Sequence, residues 1–399
     1  MALDIAIITV VVVIALVLWS KRVSRATTWR AMTTPLASII GSGFLVLGPI
    51  LESAYGVYAP LIMFILCLGA YGYGAAIRYN MTADPPHSAL GHRLDTALET
   101  ASGWALGFAY IVSVAYYLNL FGAFAVSLTG PVDRMDAQLI TTAVFAIILT
   151  VGWTHGFSSL ERLEYITVTI KLAIIAGLLI GLAVYFFGRV NDGGLVINAP
   201  TLTGWPAATL AFGLIVTVQG FETSRYLMDE YDREICIRSM RWAQIVSGVI
   251  YVFYILLLAY VFEPGELQLS ETAIIGMMRL VAPILPVLLI MAALAAQFSA
   301  AVADTGGSGG LFRELTRNRI SPRTVYAILT GVGLIMTWAM DVFEIISYAS
   351  RAFAVYYMLQ AAVAAVNAWR SGRPAHTSGF AALALLGFLI ATFGTPVDG

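Results

Sequence analysis

Long apolar runs separated by short breaks of charge, proline and glycine make up almost the whole chain. They fall at about residues 3 to 19, 35 to 53, 57 to 80, 103 to 129, 137 to 155 and 163 to 187 in the first half. In the second half they fall at about 206 to 228, 240 to 262, 283 to 310, 324 to 340, 343 to 369 and 377 to 394. About 20 apolar residues in a helix match the hydrocarbon thickness of a bilayer, so each run predicts a membrane helix. The first run follows Asp4 and precedes the basic Lys21, Arg22 and Arg25, the reverse of the charge order in a cleavable signal peptide. It is therefore expected to remain as a helix. The stretch Glu263 to Met278 is long enough for a short surface helix, expected at Glu271 to Arg279.

Composition agrees with this pattern. Hydrophobic residues make up 59% of the 399 and charged residues only 11%, which places the chain in lipid and leaves little for an aqueous domain. The net charge of -1 is not gathered into a basic patch, so no nucleic-acid partner is indicated. The basic residues fall instead in alternate loops, at Lys21 to Arg30, Arg78 and Arg93, Arg162, Arg225 to Arg241, Arg313 to Arg323, and Arg370 and Arg373. The intervening loops hold only Arg134, Arg189 and Arg279, which predicts one orientation with both termini outside. Cys67 and Cys236 give no disulfide framework, and His87, His92, His155 and His376 lack metal-ligand spacing. No nucleotide loop, dinucleotide fingerprint or nucleophile elbow occurs, so neither an enzyme nor ATP-driven transport is expected, and no cofactor. Nothing in the sequence sets an oligomeric state.

Two runs are interrupted at mid-depth by polar and glycine-rich stretches. The second is broken at Ile40, Gly41, Ser42, Gly43 and Phe44, and the seventh at Val218, Gln219, Gly220, Phe221, Glu222 and Thr223. Glycines there either allow close helix packing or mark unwound segments whose free backbone groups bind a solute. Breaks at matching places in two halves favour the second explanation, because they are the sequence sign of an inverted-repeat transporter.

The Gly-Ser-Gly-Phe at Gly41 to Phe44, the Gly-Phe-Glu at Gly220 to Glu222 and the acidic-basic loop Asp229 to Arg241 resemble the amino acid–polyamine–organocation (APC) superfamily. The segment Ser308 to Pro322 is similar to the one that ends the eighth core helix in that family. The resemblance implies an all-helical membrane protein with a LeuT-type five-plus-five inverted repeat, and spans about Pro35 to Arg370. Residues 1–30 then hold an extra leading helix and a basic loop, and residues 31–370 the core, with repeats at about 35–187 and 206–369. Residues 371–399 hold one extra closing helix. Permeases of this family usually begin at core helix one and close with two helices, whereas an added leading helix is usual in sodium/solute symporters.

The resemblance also implies roles. Ile40, Gly41, Ser42, Gly43, Val218, Gln219, Gly220 and Phe221 would bind the substrate, lined by Tyr116 and Asn119 on core helix three. Tyr116 and Tyr117 cannot both face inward, and periodicity does not choose between them. Lys171 would occupy the place of sodium, tying Ser299 to the backbone near Ala37 to Ile40 and coupling proton loss to gating. Its other reading is a lysine snorkelling to the membrane surface. Glu222 either holds the unwound backbone or carries a proton. Ser299, Asp304 and Thr305 form an alternative sodium site, while Asp304 could instead be a polar partner of Lys171 or Arg225. Arg351 could pair with Glu344, Asp341 or Glu52 as an outer gate.

The expected function is secondary transport of amino acids or related small amines by alternating access, as proton-linked symport or exchange. Sodium-coupled symport and a non-transporting solute sensor are the alternatives. Short loops point to a prokaryotic inner membrane. With Cys67 and Cys236 replaced by Ser, single cysteines at Asp192 and Glu263 should react with an impermeant maleimide on spheroplasts, and those at Arg238 and Arg317 only after permeabilisation. The opposite labelling pattern would reverse the orientation.

Overall fold

The computed structural model describes residues 1–41, 43–82, 89–128, 130, 132–154, 158–228, 230–263 and 270–397. Ser42, in the first break, lies outside the described residues. Among those described there are fifteen α-helices and no strand. The leading helix α1 is Ala2–Trp19, and a short α2, Lys21–Ser24, turns the chain into the core. The broken second run forms α3 (Thr27–Ile39) and α4 (Gly43–Tyr55). The rest of the first five-helix set is α5 (Ala59–Thr82), α6 (Ala89–Val126), α7 (Arg134–Thr154) and α8 (Ser158–Asn191).

The second set opens with α9 (Gly204–Gly213), followed by 3₁₀ segments at Ile215–Val218 and Phe221–Leu227. It continues with α10 (Arg233–Leu258), α12 (Leu285–Leu315), α13 (Pro322–Ala339) and α14 (Val342–Arg370), with a short α11 (Ala273–Val281) between α10 and α12. The closing helix α15 is Pro374–Phe393. The order fits the five-plus-five plan, each set beginning with an interrupted helix, and nine described segments are long and apolar enough to cross a membrane. The chain is an integral membrane protein.

Several boundaries differ from the sequence expectation: α6 begins at Ala89 and α10 at Arg233, both earlier than their apolar runs, and α3 and α11 are shifted as well. α3 starts at Thr27, not near Pro35, because its first half carries Thr28, Arg30 and Thr33. A helix buried in protein need not be apolar along its length, so hydropathy misses such turns. The surface helix α11 begins two residues later than expected, at Ala273.

Burial shows which helices form the centre. The most apolar stretch of α6 is 89% buried, whereas that of α1 is only 6% buried. α6 packs against α12 and α14, while α1 lies on α8. There Gly177 and Gly181 let Val11 and Ile7 approach the α8 backbone. α15 covers α14, with Gly387 directly on Met358. Small residues at helix contacts are expected where lipid offers no hydrophobic drive to association.

Many polar groups inside the bundle are paired across helices, because an unpaired polar group away from water costs several kcal/mol. Arg78 on α5 donates to Gln244 on α10, whose amide donates to the Ala70 carbonyl. Near one end of the bundle, Arg225 forms an ion pair with Glu99 at 2.9 Å and donates to Gln360 at 2.8 Å. Gln360 donates in turn to Ser102 at 2.8 Å and accepts from Asn80 at 3.0 Å. These contacts knit α5, α6, α14 and the second 3₁₀ segment together.

Candidate functional site at the crossing of the broken helices

The first break opens where α3 tightens at its end, with the Gly41 amide donating to the Ser38 carbonyl at 3.2 Å. The second is longer than the sequence suggests. After Gly213 the chain makes a 3₁₀ segment, passes through extended Gln219, and turns at Gly220 with φ of +113°. The two interruptions lie directly on each other. A Cβ on Gly220 would sit 2.3 Å from Ser38 Oγ, and one on Gly43 would sit 2.5 Å from Thr217 Cβ. Close packing and unwinding, which the sequence posed as alternatives, both occur at the same glycines.

Neighbouring helices supply partners for the exposed backbone. The Tyr251 hydroxyl on α10 lies 2.8 Å from the carbonyls of both Ile39 and Thr217 and so bridges the two breaks. Ser350 on α14 donates to the Gly213 carbonyl at 2.6 Å and accepts from the Val216 amide at 3.1 Å. Glu222 Oε2 accepts from the Gly220 amide and from the Tyr357 hydroxyl, each at 3.0 Å. Lys171 Nζ, on a buried stretch of α8, donates to the Ala37 carbonyl at 2.8 Å. The snorkelling alternative for Lys171 is excluded by this position. Tyr251, Ser350 and Tyr357 were not among the residues expected from sequence, where their only signal is a hydroxyl inside an apolar run.

Other expected residues divide. Tyr116 and Tyr117 are both buried with rings 5.2 Å apart, and it is Tyr117 whose hydroxyl accepts from Gln219 Nε2 at 2.9 Å. Asn119 does not line the crossing. It lies two positions beyond Tyr117, about 200° around the helix, and donates to Thr337 on α13 at 2.9 Å. Phe221, expected to bind the substrate, stacks on Tyr357 at 5.2 Å, and Tyr357 stacks on Tyr73 at 5.1 Å.

The alternative sodium site does not assemble. Ser299 donates to Ala296 at 3.1 Å and Thr305 to Ala301 at 2.6 Å, both within α12, while Asp304 accepts from Ser113 on α6. Ser299 and Asp304 are five positions apart, about 140° around the helix, so they face different neighbours. Lys171 instead shares a hollow of about 10 Å³ with Ile40, Gly41, Phe44 and Gln297, room for about one water. Among the described residues no three His, Cys, Asp or Glu side chains gather as metal ligands.

Arg351 pairs with none of its three expected acids. Its Nε donates to the Ala391 carbonyl at 2.8 Å. Asp341 and Glu344 close a capping box on each other at the start of α14, and Glu52 accepts from Asn198. Arg351 does line a vestibule of about 770 Å³, with Ser53, Thr201, Trp205 and Thr209. The expected pairing of Asp304 with Arg225 is also not found, since Arg225 pairs with Glu99.

A family model described as an APC superfamily transporter matches residues 21–394. An uncharacterised protein of Aquifex aeolicus (strain VF5) is 39% identical over 372 residues, which cover 90% of this chain and 89% of that protein.

The contact between the breaks makes Gly220 intolerant. Gly220→Ala places a side chain on Ser38 and a non-glycine residue at positive φ, which costs about 1–3 kcal/mol in strain. It should lower the thermal unfolding midpoint in detergent, whereas Gly69→Ala, which meets nothing within 4 Å, should leave it unchanged. Equal midpoints for the two variants would show that the crossing is not tight.

Proposed function

The chain belongs to the APC superfamily of transporters, and we propose that it carries amino acids or related small amines across a prokaryotic inner membrane by alternating access, linked to protons. The observation that carries this reading is the crossing itself, where two unwound helices touch at mid-bundle and Lys171 holds the end of one of them. Helix ends at such a crossing present opposite partial charges. The start of α4, at Gly43, offers amides and a positive dipole end, which suits a substrate carboxylate at Gly41 to Gly43. The end of α9 and the 3₁₀ segment after it offer carbonyls, which suit an amino group at Val218 to Gly220.

Movement then requires that the partners of the breaks be exchanged. Lys171 anchors α3 through Ala37, so loss of its proton would remove a charge-assisted hydrogen bond and free α3 to swing about Ile40. Glu222 acts as a backbone clamp on Gly220, shared with Tyr357, and keeps the second break in register while α3 moves. With both termini outside, the Arg351 vestibule opens outward and the Arg225–Glu99 network closes the inner end.

Counterflow of labelled amino acids and amines into proteoliposomes tests this reading. Uptake should rise about tenfold with an inward proton gradient and be unchanged when sodium is replaced by choline. Lys171→Ala should abolish the response to the gradient while leaving the protein folded. A gradient response that survives Lys171→Ala removes Lys171 from coupling, and strict sodium dependence removes the proton reading altogether.

A further inference from the structure

Asp304 is a second acid at the crossing, and the scheme above gives it no task. It sits in the middle of α12, 3% exposed. Its Oδ2 accepts from Ser113 on α6, and the Tyr117 hydroxyl, one helical turn further along, also faces it. α12 packs against α6, α8, α13, α11 and α3. From α6, Tyr110, Ser113 and Tyr117 act on Asp304 or are acted on by it, and from the second 3₁₀ segment Glu222 does. The other helices packed on α12 also carry charged or titratable groups, Lys171 on α8, Arg323 and Tyr326 on α13, Arg279 on α11 and Arg30 on α3. Hydroxyls and another acid thus bear directly on this carboxylate.

Hydrogen-bond counting points to what the cluster lacks. The Ser113 hydroxyl has one proton but two acceptors, the Tyr110 carbonyl at 3.1 Å and Asp304. Tyr117 has one proton, accepts from Gln219 Nε2, and is the other donor that faces Asp304. Nearby, Gln219 Oε1 and Glu222 Oε1 are buried without any hydrogen-bond partner. Acceptors outnumber donors, and one proton on Asp304 restores the balance locally. The carboxyl then donates to Ser113, and Ser113 donates to Tyr110.

We propose that Asp304 is a proton-binding site in its own right, wired through Tyr117 to Gln219 in the second break. Ionised Asp304 accepts hydrogen bonds from both hydroxyls. Protonated Asp304 releases the Tyr117 proton, which after a turn of the Gln219 amide can be donated to Gln219 Oε1. The same residue of the break is then held by a donated rather than an accepted hydrogen bond, so proton binding on α12 is read as a change of partner at the unwound segment. Proton binding stands on the geometry of Asp304 alone, while its effect on transport rests on the proposed function.

Infrared difference spectroscopy of the protein in proteoliposomes, titrated across neutral pH, tests it without requiring a substrate. The carbonyl band of a protonated, buried carboxyl should appear on acidification, vanish in Asp304→Asn, persist in Glu222→Gln and shift in Tyr117→Phe. Ser113→Ala gives the same test if Asp304→Asn fails to fold, since the protonated carboxyl then loses the hydroxyl it donates to and its band must move. A band that survives Asp304→Asn unchanged, or that sodium removes at constant pH, overturns the assignment. In counterflow, Asp304→Asn should keep exchange but flatten its pH profile relative to wild type. Failure of all counterflow would overturn the transporter reading and leave the infrared result standing.

Discussion

In hydrocarbon every backbone N–H and C=O must find a partner within the protein, and each one left unpaired costs several kcal/mol. Interrupting two helices at mid-bundle multiplies that demand at one place. The partners are Glu222, within the second break and itself held by Tyr357 on α14, and groups from three other helices: Tyr251 on α10, Ser350 on α14 and Lys171 on α8. The positions of those helices are thus bound to the breaks, although each is continuous where it supplies its group. Such a set of partners cannot stretch gradually. A moving segment must exchange one hydrogen bond for another, which is how packed interiors produce discrete states.

The two ends of the bundle differ in the same terms. Near Arg225, an ion pair and a chain of amide and hydroxyl contacts join four elements. Near Arg351, the guanidinium bonds a single carbonyl and faces an open vestibule. Charge-assisted contacts at one end and space at the other make the bundle asymmetric about its crossing.

Hydropathy made most helices legible because lipid selects for apolar runs of nearly fixed length. It failed for the first half of α3, whose Thr27, Thr28 and Arg30 belong to a helix that packs on α10 and the second 3₁₀ segment. Both breaks were legible from glycine, since Gly220 has a backbone that other residues rarely adopt. Lys171 was legible as a charge inside an apolar run. Rotation about each helix axis was not. Tyr117 and Asn119, or Gln297 and Ser299, are two positions apart, and that spacing turns one of each pair away from the crossing. Tyr251 and Ser350 were invisible because their partners lie 34 to 212 positions away, and no local spacing encodes such contacts.

Four helix ends meet at the crossing, and their treatment differs in a way that bears on what can bind. A helix end carries about half a unit charge, negative at its C-terminus and positive at its N-terminus. The C-terminal end of α3 is met by a cationic side chain, Lys171, and the N-terminal end of the second 3₁₀ segment by an acidic one, Glu222. The last carbonyl of α9 is met by the neutral hydroxyl of Ser350, and the start of α4 packs on Thr217. One end of each sign is thus answered by a charged side chain and one of each sign by a neutral group. A solute carrying both an ammonium and a carboxylate supplies the two charges that the neutral pair lacks. It would do so without disturbing Lys171 or Glu222, so binding at α4 and α9 can remain separate from the proton chemistry proposed for α8 and α12.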